Sequence, residues 1–399
     1  MRPGNLVVVP AGRRGPAAAC LLLHTGAAGE RAGREGLARV TASAVLDGVR
    51  PQLADLGATV TATSSLSSMR FAFTASAAVL PRALALVGDA IAGTRVSDPA
   101  AAQAVERRRT EIALEDAVPR RRALTLLNAT LFHPSERHSR PIGGTVTTMS
   151  AITPRSVRSF VAQARQGPIT LVTSVDSAAM DGLLSAASGR PAEAPAPRLG
   201  LHIGPHVADN PASTQVTYAL ALLLPGRRHS DWSALTVLAH VLGGGLASRL
   251  NVTLRDRRGA AYGLTAACLP IRGAGILLIE GSVAPGRARE ALDEIVEILT
   301  DLHRYGPTPA ELATAVRYLA GGAPIRLETA EQVVAETASL VAEGLPPALL
   351  WSEPEALTAL DMATVTRTAG RHLSPHGLHL SAIVPTGLTG VEFRLAGDR

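Results

Sequence analysis

Histidine and cysteine spacing raises the first chemical question, whether this chain could hold a metal. His202 and His206, and again His372 and His376, stand at i, i+4, the spacing that brings two imidazoles onto one helix face. Each pair encloses a proline, Pro205 or Pro375, which breaks the helical turn that would aim both rings at one ion. No other ligand spacing presents itself among the eleven histidines. The two pairs are therefore expected in loops or on the surface, with no metal bound by this chain. Cys20 and Cys268, the two cysteines, lie in apolar, strand-like stretches and are expected as buried fillers rather than a disulfide framework.

Charge narrows the partners. The formal net charge is +6 and is carried by arginine alone, since the sequence has no lysine. Arginine is spread along the chain, with short runs at Arg107 to Arg109 and Arg120 to Arg122. A nucleic-acid surface concentrates its charge and interleaves aromatics for stacking. Aromatics are only 3% of this chain, so no nucleic-acid partner is expected and the arginines are assigned to solvated helix faces. No apolar run reaches the roughly 18 to 20 residues of a membrane span. Arg13 and Arg14 precede an apolar patch in the manner of a leader, yet residues 5–9 already read as a strand. Two successive strands and a cytoplasmic location are expected.

A chain of 399 residues is long enough for two domains of about 200 residues, each with its own core. The sequence repeats one plan twice. Leu80, Leu84, Val87 and Ile91 form an apolar helical stripe, and Ala288, Leu292, Ile295 and Leu299 form its counterpart. The next helix opens at Asp98-Pro99 in the first half. In the second it opens at Thr308-Pro309-Ala310-Glu311, an N-cap, a proline at N1 and a capping-box glutamate. Residues 153–175 and 361–384 repeat a helix followed by a strand. Strands are predicted over residues 6–9, 18–23, 58–63, 69–74 and 169–175, then 216–224, 261–269, 275–283 and 378–384. Residues 188–199, rich in Pro and Ala, read as a linker, separating a first domain (1–187) from a second (200–399). Strands and helices mix without strict alternation. That predicts α+β: two tandem homologous domains, each a mostly antiparallel sheet with helices packed on one face.

Two such domains joined this way resemble the pitrilysin/insulinase family of zinc peptidases, which includes the mitochondrial processing peptidase. The second half carries most of the likeness, from LALLLPGRRHSDWSALTVLAHVLGGGLASRL through RDRRGAAYGLTA to GILLIEGSVAPGRAREALDEI. In the first half, GERAGREGLARVTASAVLDG stands in the place of the family's zinc helix, and PIGGTVTTMSAITPRSVRSFV resembles its later glycine turn and helix. The resemblance implies half of a clamshell. Family enzymes carry H-x-x-E-H, two imidazoles on one metal and a glutamate that activates its water. Here Arg39 and Ser43 occupy the histidine positions, Ala42 replaces the general base, and Glu111 falls near the expected third ligand. The motif is degenerate, and no intrinsic peptidase activity is expected.

Arg255 and Tyr262 match an Arg and a Tyr that family members carry in the half opposite their zinc site. By that resemblance they reach a substrate beside the metal, where a guanidinium and a phenol stabilise the oxyanion of amide hydrolysis. Gly243, Gly244 and Gly245 follow a predicted helix, so a C-terminal cap with φ > 0 is expected there. The family's substrate-guiding glycine loop is the alternative. The resemblance thus implies a non-catalytic subunit of a heterodimeric zinc endopeptidase, whose homologous H-x-x-E-H partner binds the zinc. Together the two chains cleave a peptide substrate, a leader peptide being one setting. A scaffold without catalytic participation, or a homodimeric peptide-binding module of the same fold, are the alternatives.

Overall fold

The computed structural model describes residues 6–9, 15–93, 96–176, 179, 181–186, 194–200, 205–257 and 261–388. The chain divides into two compact units that do not follow its halves. The first comprises Met1–Ala113, Pro141–Glu193 and Ala323–Leu350; the second comprises Leu114–Arg140, Ala194–Gly322 and Trp351–Arg399.

The first unit is built on β1 (Leu6–Val8), β2 (Ala17–Leu23), β3 (Thr59–Ser64), β4 (Met69–Ala75) and β5 (Ile169–Thr173), in the order β1-β5-β2-β4-β3. The β1–β5 pair is parallel and the other pairs are antiparallel. In β4, alternation puts Met69, Phe71 and Phe73 into the core. β2 instead reads as a continuous apolar run, and all seven of its residues are buried. A strand covered on both faces needs that composition. Ala19, Leu21 and Leu23 pack with helices Leu37–Asp47, Leu80–Ala92 and Pro154–Gln166. Ala18, Cys20 and Leu22 face the other way, against Val333, Val334 and Ala338 of helix Ala330–Ala342.

The second unit repeats the topology with β6 (Pro205–Asp209), β7 (Val216–Leu224), β8 (Ala261–Ile271), β9 (Ala274–Val283) and β10 (His379–Val384), ordered β6-β10-β7-β9-β8. β6 runs parallel to β10, and the remaining pairs are antiparallel. Helices Trp232–Gly243, Ala288–Tyr305, Pro309–Gly321 and Met362–His372 build the core on one face. Helix Pro119–Leu131 covers the other through Ala123, Leu127 and Leu131, packed on Ala219, Ala221, Leu278 and Ile383. An Arg120–Glu280 ion pair and a Ser381 Oγ–H bond to the Ala123 carbonyl (2.7 Å) fasten it.

The α+β reading stands, with mixed sheets. Helices on a single face is corrected: each sheet is covered on both, by a helix taken from the other half of the sequence. β6 was not anticipated, because Pro205 opens it; a proline is tolerated as the first residue of an edge strand, where its missing N–H breaks no ladder. Both cysteines are free, Cys20 buried and Cys268 half-buried. Burial pushes their thiols up to about 11 and about 12, with Arg70 opposing the rise at Cys20. Among the described residues, no helix is long and apolar enough to cross a membrane.

Candidate functional site

Helix Leu37–Asp47 places Arg39 and Ser43 one turn apart, both half-buried, with Ala42 between them fully enclosed. Arg39 Nη1 donates to the Ala62 carbonyl of β3 at 3.4 Å. Glu111 lies on helix Asp98–Asp116, and its carboxylate partners are Arg108 (2.9 Å) and Arg107 (4.0 Å). Arg107 also holds Asp47 at 2.6 Å, and buried Arg108 donates to the Gly143 carbonyl at 2.9 Å. The glycine turn is thus used to admit a guanidinium: a Cβ at Gly143 would stand 2.2 Å from Arg108 Nη2. A zinc centre of the resembled kind does not fit these residues. Arg39 and Ala42 offer no ligand atom, Glu111 is neutralised by two arginines, and position 42 has no exposure at which a base could meet water.

The second candidate lies in the other unit. Helix Trp232–Gly243 ends at Gly244, whose φ of −79° is right-handed. The expected left-handed cap is therefore corrected. These glycines answer to crowding: a Cβ on Gly243 would come within 2.5 Å of the Ala266 nitrogen of β8, and one on Gly244 within 2.4 Å of His240 Nδ1. Gly245 lies against the same imidazole, which stacks on Tyr318 with centroids 4.6 Å apart. Burial holds His240 below the usual imidazole range. The chain then forms a π-helical turn over Asn251–Arg257, which contains Arg255. Tyr262 follows in β8, at a register shift between Ala261 and Gly263. The side chains of Arg255 and Tyr262 lie outside the described residues. Their backbones occupy a π-helical turn and a register shift in the strand ladder, irregularities that recur beside functional sites.

A third cluster overturns the expectation of no metal in this chain. His229, Asp231 and His372 bring three ligand atoms within 4.8 Å of one another. His372 Nε2 lies 2.8 Å from Asp231 Oδ2, and His229 Nδ1 lies 3.8 Å from the same oxygen. Asp231 opens helix Trp232–Gly243, while Arg371 and His372 close helix Met362–His372. The Asp231 carboxylate and the Arg371 guanidinium each complement the dipole of the helix end they sit on. Burial raises the Asp231 carboxyl, but the His372 hydrogen bond and the neighbouring charges of His229, Arg371 and His372 outweigh it and hold the group below the usual carboxylate range. Two imidazoles and a carboxylate are a donor set for zinc or a related first-row cation, with a fourth position left to water. Arg371, 3.0 Å from the same oxygen, is the cation already competing for it. Spacing within the sequence paired His372 with His376, which is exposed in a turn at Pro375–Gly377. The residue that meets His372 is Asp231, 141 positions away. His206 lies in β6 rather than in a loop, and His202 falls outside the described residues.

Known proteins resemble this chain in sequence and in fold. The family model described as the peptidase M16 inactive domain matches residues 170–319. An uncharacterized zinc protease of Mycobacterium leprae is 31% identical over 268 residues, covering 63% of this chain and 59% of that protein. The chain therefore spans less than two thirds of the length of that curated relative. Among solved structures, a protease from Helicobacter pylori superposes with a TM-score of 0.83 at 18% identity, covering 96% of this chain and 98% of that one. The peptidase M16 inactive domain from Pseudomonas fluorescens gives 0.82 at 19% identity, covering 96% and 95%.

Proposed function

Since this chain belongs to the M16 (pitrilysin/insulinase) peptidase superfamily, as a member containing its inactive domain, we propose that it serves as the non-catalytic subunit of a two-chain zinc endopeptidase. In this reading a homologous partner carrying H-x-x-E-H holds the catalytic zinc and its water. This chain supplies Arg255 and Tyr262. As the amide carbonyl becomes tetrahedral, the Arg255 guanidinium and the Tyr262 hydroxyl donate hydrogen bonds to the developing oxyanion, an interaction stronger in the transition state than in the bound peptide. Of the three glycines, Gly244 and Gly245 are assigned to the path of the peptide, while Gly243 is buried against β8 and serves that close approach alone. The substrate is a peptide or unfolded segment, a leader peptide being one case.

One observation carries the reading. The segment bearing Arg255 and Tyr262 lies within the stretch that the family model matches, whereas Arg39, Ala42, Ser43 and Glu111 make no zinc-ligating set. The test is peptidase activity of this chain alone and after co-expression with an H-x-x-E-H chain. Activity is expected only in the pair, with Tyr262→Phe lowering kcat by about a hundredfold. Cleavage by this chain alone would sink the proposal. An active pair indifferent to both Tyr262→Phe and Arg255→Ala would make this chain a scaffold.

A further inference from the structure

Asn251 is a buried polar side chain, 6% exposed, in the apolar interior of the second unit. It stands at the first residue of the π-helical turn and reaches across to β8. Its Oδ1 accepts from the Leu264 N–H at 3.3 Å, and its Nδ2 donates to the Leu264 carbonyl at 3.0 Å. The same Nδ2, whose two hydrogens are shared among three acceptors, also lies 3.0 Å from the Gly245 carbonyl and 3.1 Å from Ser248 Oγ. These partners fix which end of the amide is oxygen, because a flipped group would set its oxygen against two carbonyls. They also fix the residue type. Aspartate would bring charge against carbonyl oxygens, and an apolar replacement would strand buried backbone groups.

The placement has a geometric consequence. Asn251 and Leu264 are the two ends of a stretch of chain, and Arg255 and Tyr262 both lie on it. The amide of Asn251 clasps that stretch at its base, mimicking a strand partner for Leu264, and its third bond ties the base to the glycine turn. From the other side, β9 approaches without a side chain: a Cβ on Gly281 would stand 2.5 Å from the Gly263 carbonyl. A loop pinned at its base has far fewer conformations than a free one, and donors that must meet an oxyanion need such pre-organisation.

We propose that Asn251 is the positioning residue that sets the Arg255-bearing turn and the Tyr262-bearing strand end relative to each other and to Gly245. Its catalytic consequence rests on the role assigned above to Arg255 and Tyr262; its structural consequence does not. The experiment therefore has two arms. In the full chain, Asn251→Leu keeps the number and branching of the side-chain heavy atoms and removes every bond. Amide hydrogen exchange over residues 251–257 and 261–264 is expected to rise about tenfold or more, with helices Ala288–Tyr305 and Pro309–Gly321 unchanged. In the active pair, Asn251→Leu is expected to lower kcat with KM unchanged. On a Tyr262→Phe background it should cost less than about a further twofold. Exchange that stays unchanged, or that rises throughout the unit, overturns the inference; so does a full independent loss of activity on the Tyr262→Phe background. If Asn251→Leu does not fold, Ser248→Ala takes its place. A smaller rise confined to the same two segments then supports the inference, and no rise overturns it. An inert wild-type pair refutes the subunit reading alone, and the exchange arm still decides the role of Asn251.

Discussion

His24 illustrates how a single residue ties stability to pH in this protein. It follows β2, and its Nε2 meets Thr170 Oγ1 at 2.9 Å. Burial first, and the charge of Arg70 second, lower its pKa from 6.5 to about 4. The fold thus refuses a proton that the unfolded chain accepts. This stabilisation is fully present above pH 6.5 and is lost as the pH falls towards 4, by up to about 3 kcal/mol. Urea unfolding at pH 7 and pH 5 should give a lower midpoint at pH 5, and His24→Gln should shrink the difference. At this scale residue type is what the sequence displays directly. Arg39 and Ala42 offer no ligand atom, and Arg255 and Tyr262, whose role is proposed above, sit in one short segment. The His229, Asp231 and His372 cluster was invisible, because no periodicity links a helix start to a helix end so far along the chain. Asn251 carries no signal for a similar reason, since its partners are mostly backbone groups, which leave no mark in a sequence.

Helix Pro309–Gly321 shows the same division among elements. Its capping box forms as the sequence predicts: Thr308 Oγ1 accepts from the Glu311 N–H at 3.2 Å, and Glu311 Oε2 accepts from the Thr308 N–H at 2.7 Å. What could not be foreseen is that Arg249 grips the same carboxylate through two bonds, of 2.7 and 2.8 Å. That grip anchors the helix start to the segment just before Asn251. Burial raises the Glu311 carboxyl, but hydrogen bonds from Arg249 and Thr308 and the Arg249 charge together hold it below its ordinary value of 4.5. Its contribution is therefore complete above pH 4.5 and fades as the pH falls through the depressed value. Glu311→Gln should cost about 1 to 2 kcal/mol at neutral pH. The gap between variant and wild type should close in acid, read by denaturant titration at pH 7 and pH 3. Glycine misled where the Thr308-Pro309 start of this helix did not. A capping box has one geometric meaning, whereas Gly243 to Gly245 could serve either a left-handed turn or a close approach, and the neighbours that decide between them lie in β8 and at His240.

For the molecule as a whole, the repeat was legible because apolar stripes recur in order, and the two sheets share one strand order. The exchange of helices was not legible. Helices Pro119–Leu131 and Ala330–Ala342 are ordinary in sequence, and only packing reveals which sheet each one covers. The all-apolar run of β2 was the available hint, since a strand that faced water on one side would alternate. Residues 1–187 expressed alone should leave Ala18, Cys20, Leu22 and Val172 uncovered. Such a patch favours association. Size-exclusion chromatography should find that fragment aggregated, with no cooperative thermal transition. A monomeric fragment with a sharp transition would mean that helix Ala330–Ala342 is dispensable.

The helix exchange also reaches into synthesis. A ribosome elongates at about 5 to 20 residues per second, and the strands of the first sheet are all made by Thr173. The helix that shields their outer face is not complete until Ala342. For roughly ten to thirty seconds, the nascent chain therefore carries an assembled or assembling sheet with an apolar surface that nothing of its own can yet cover. That interval is when a holdase would bind it.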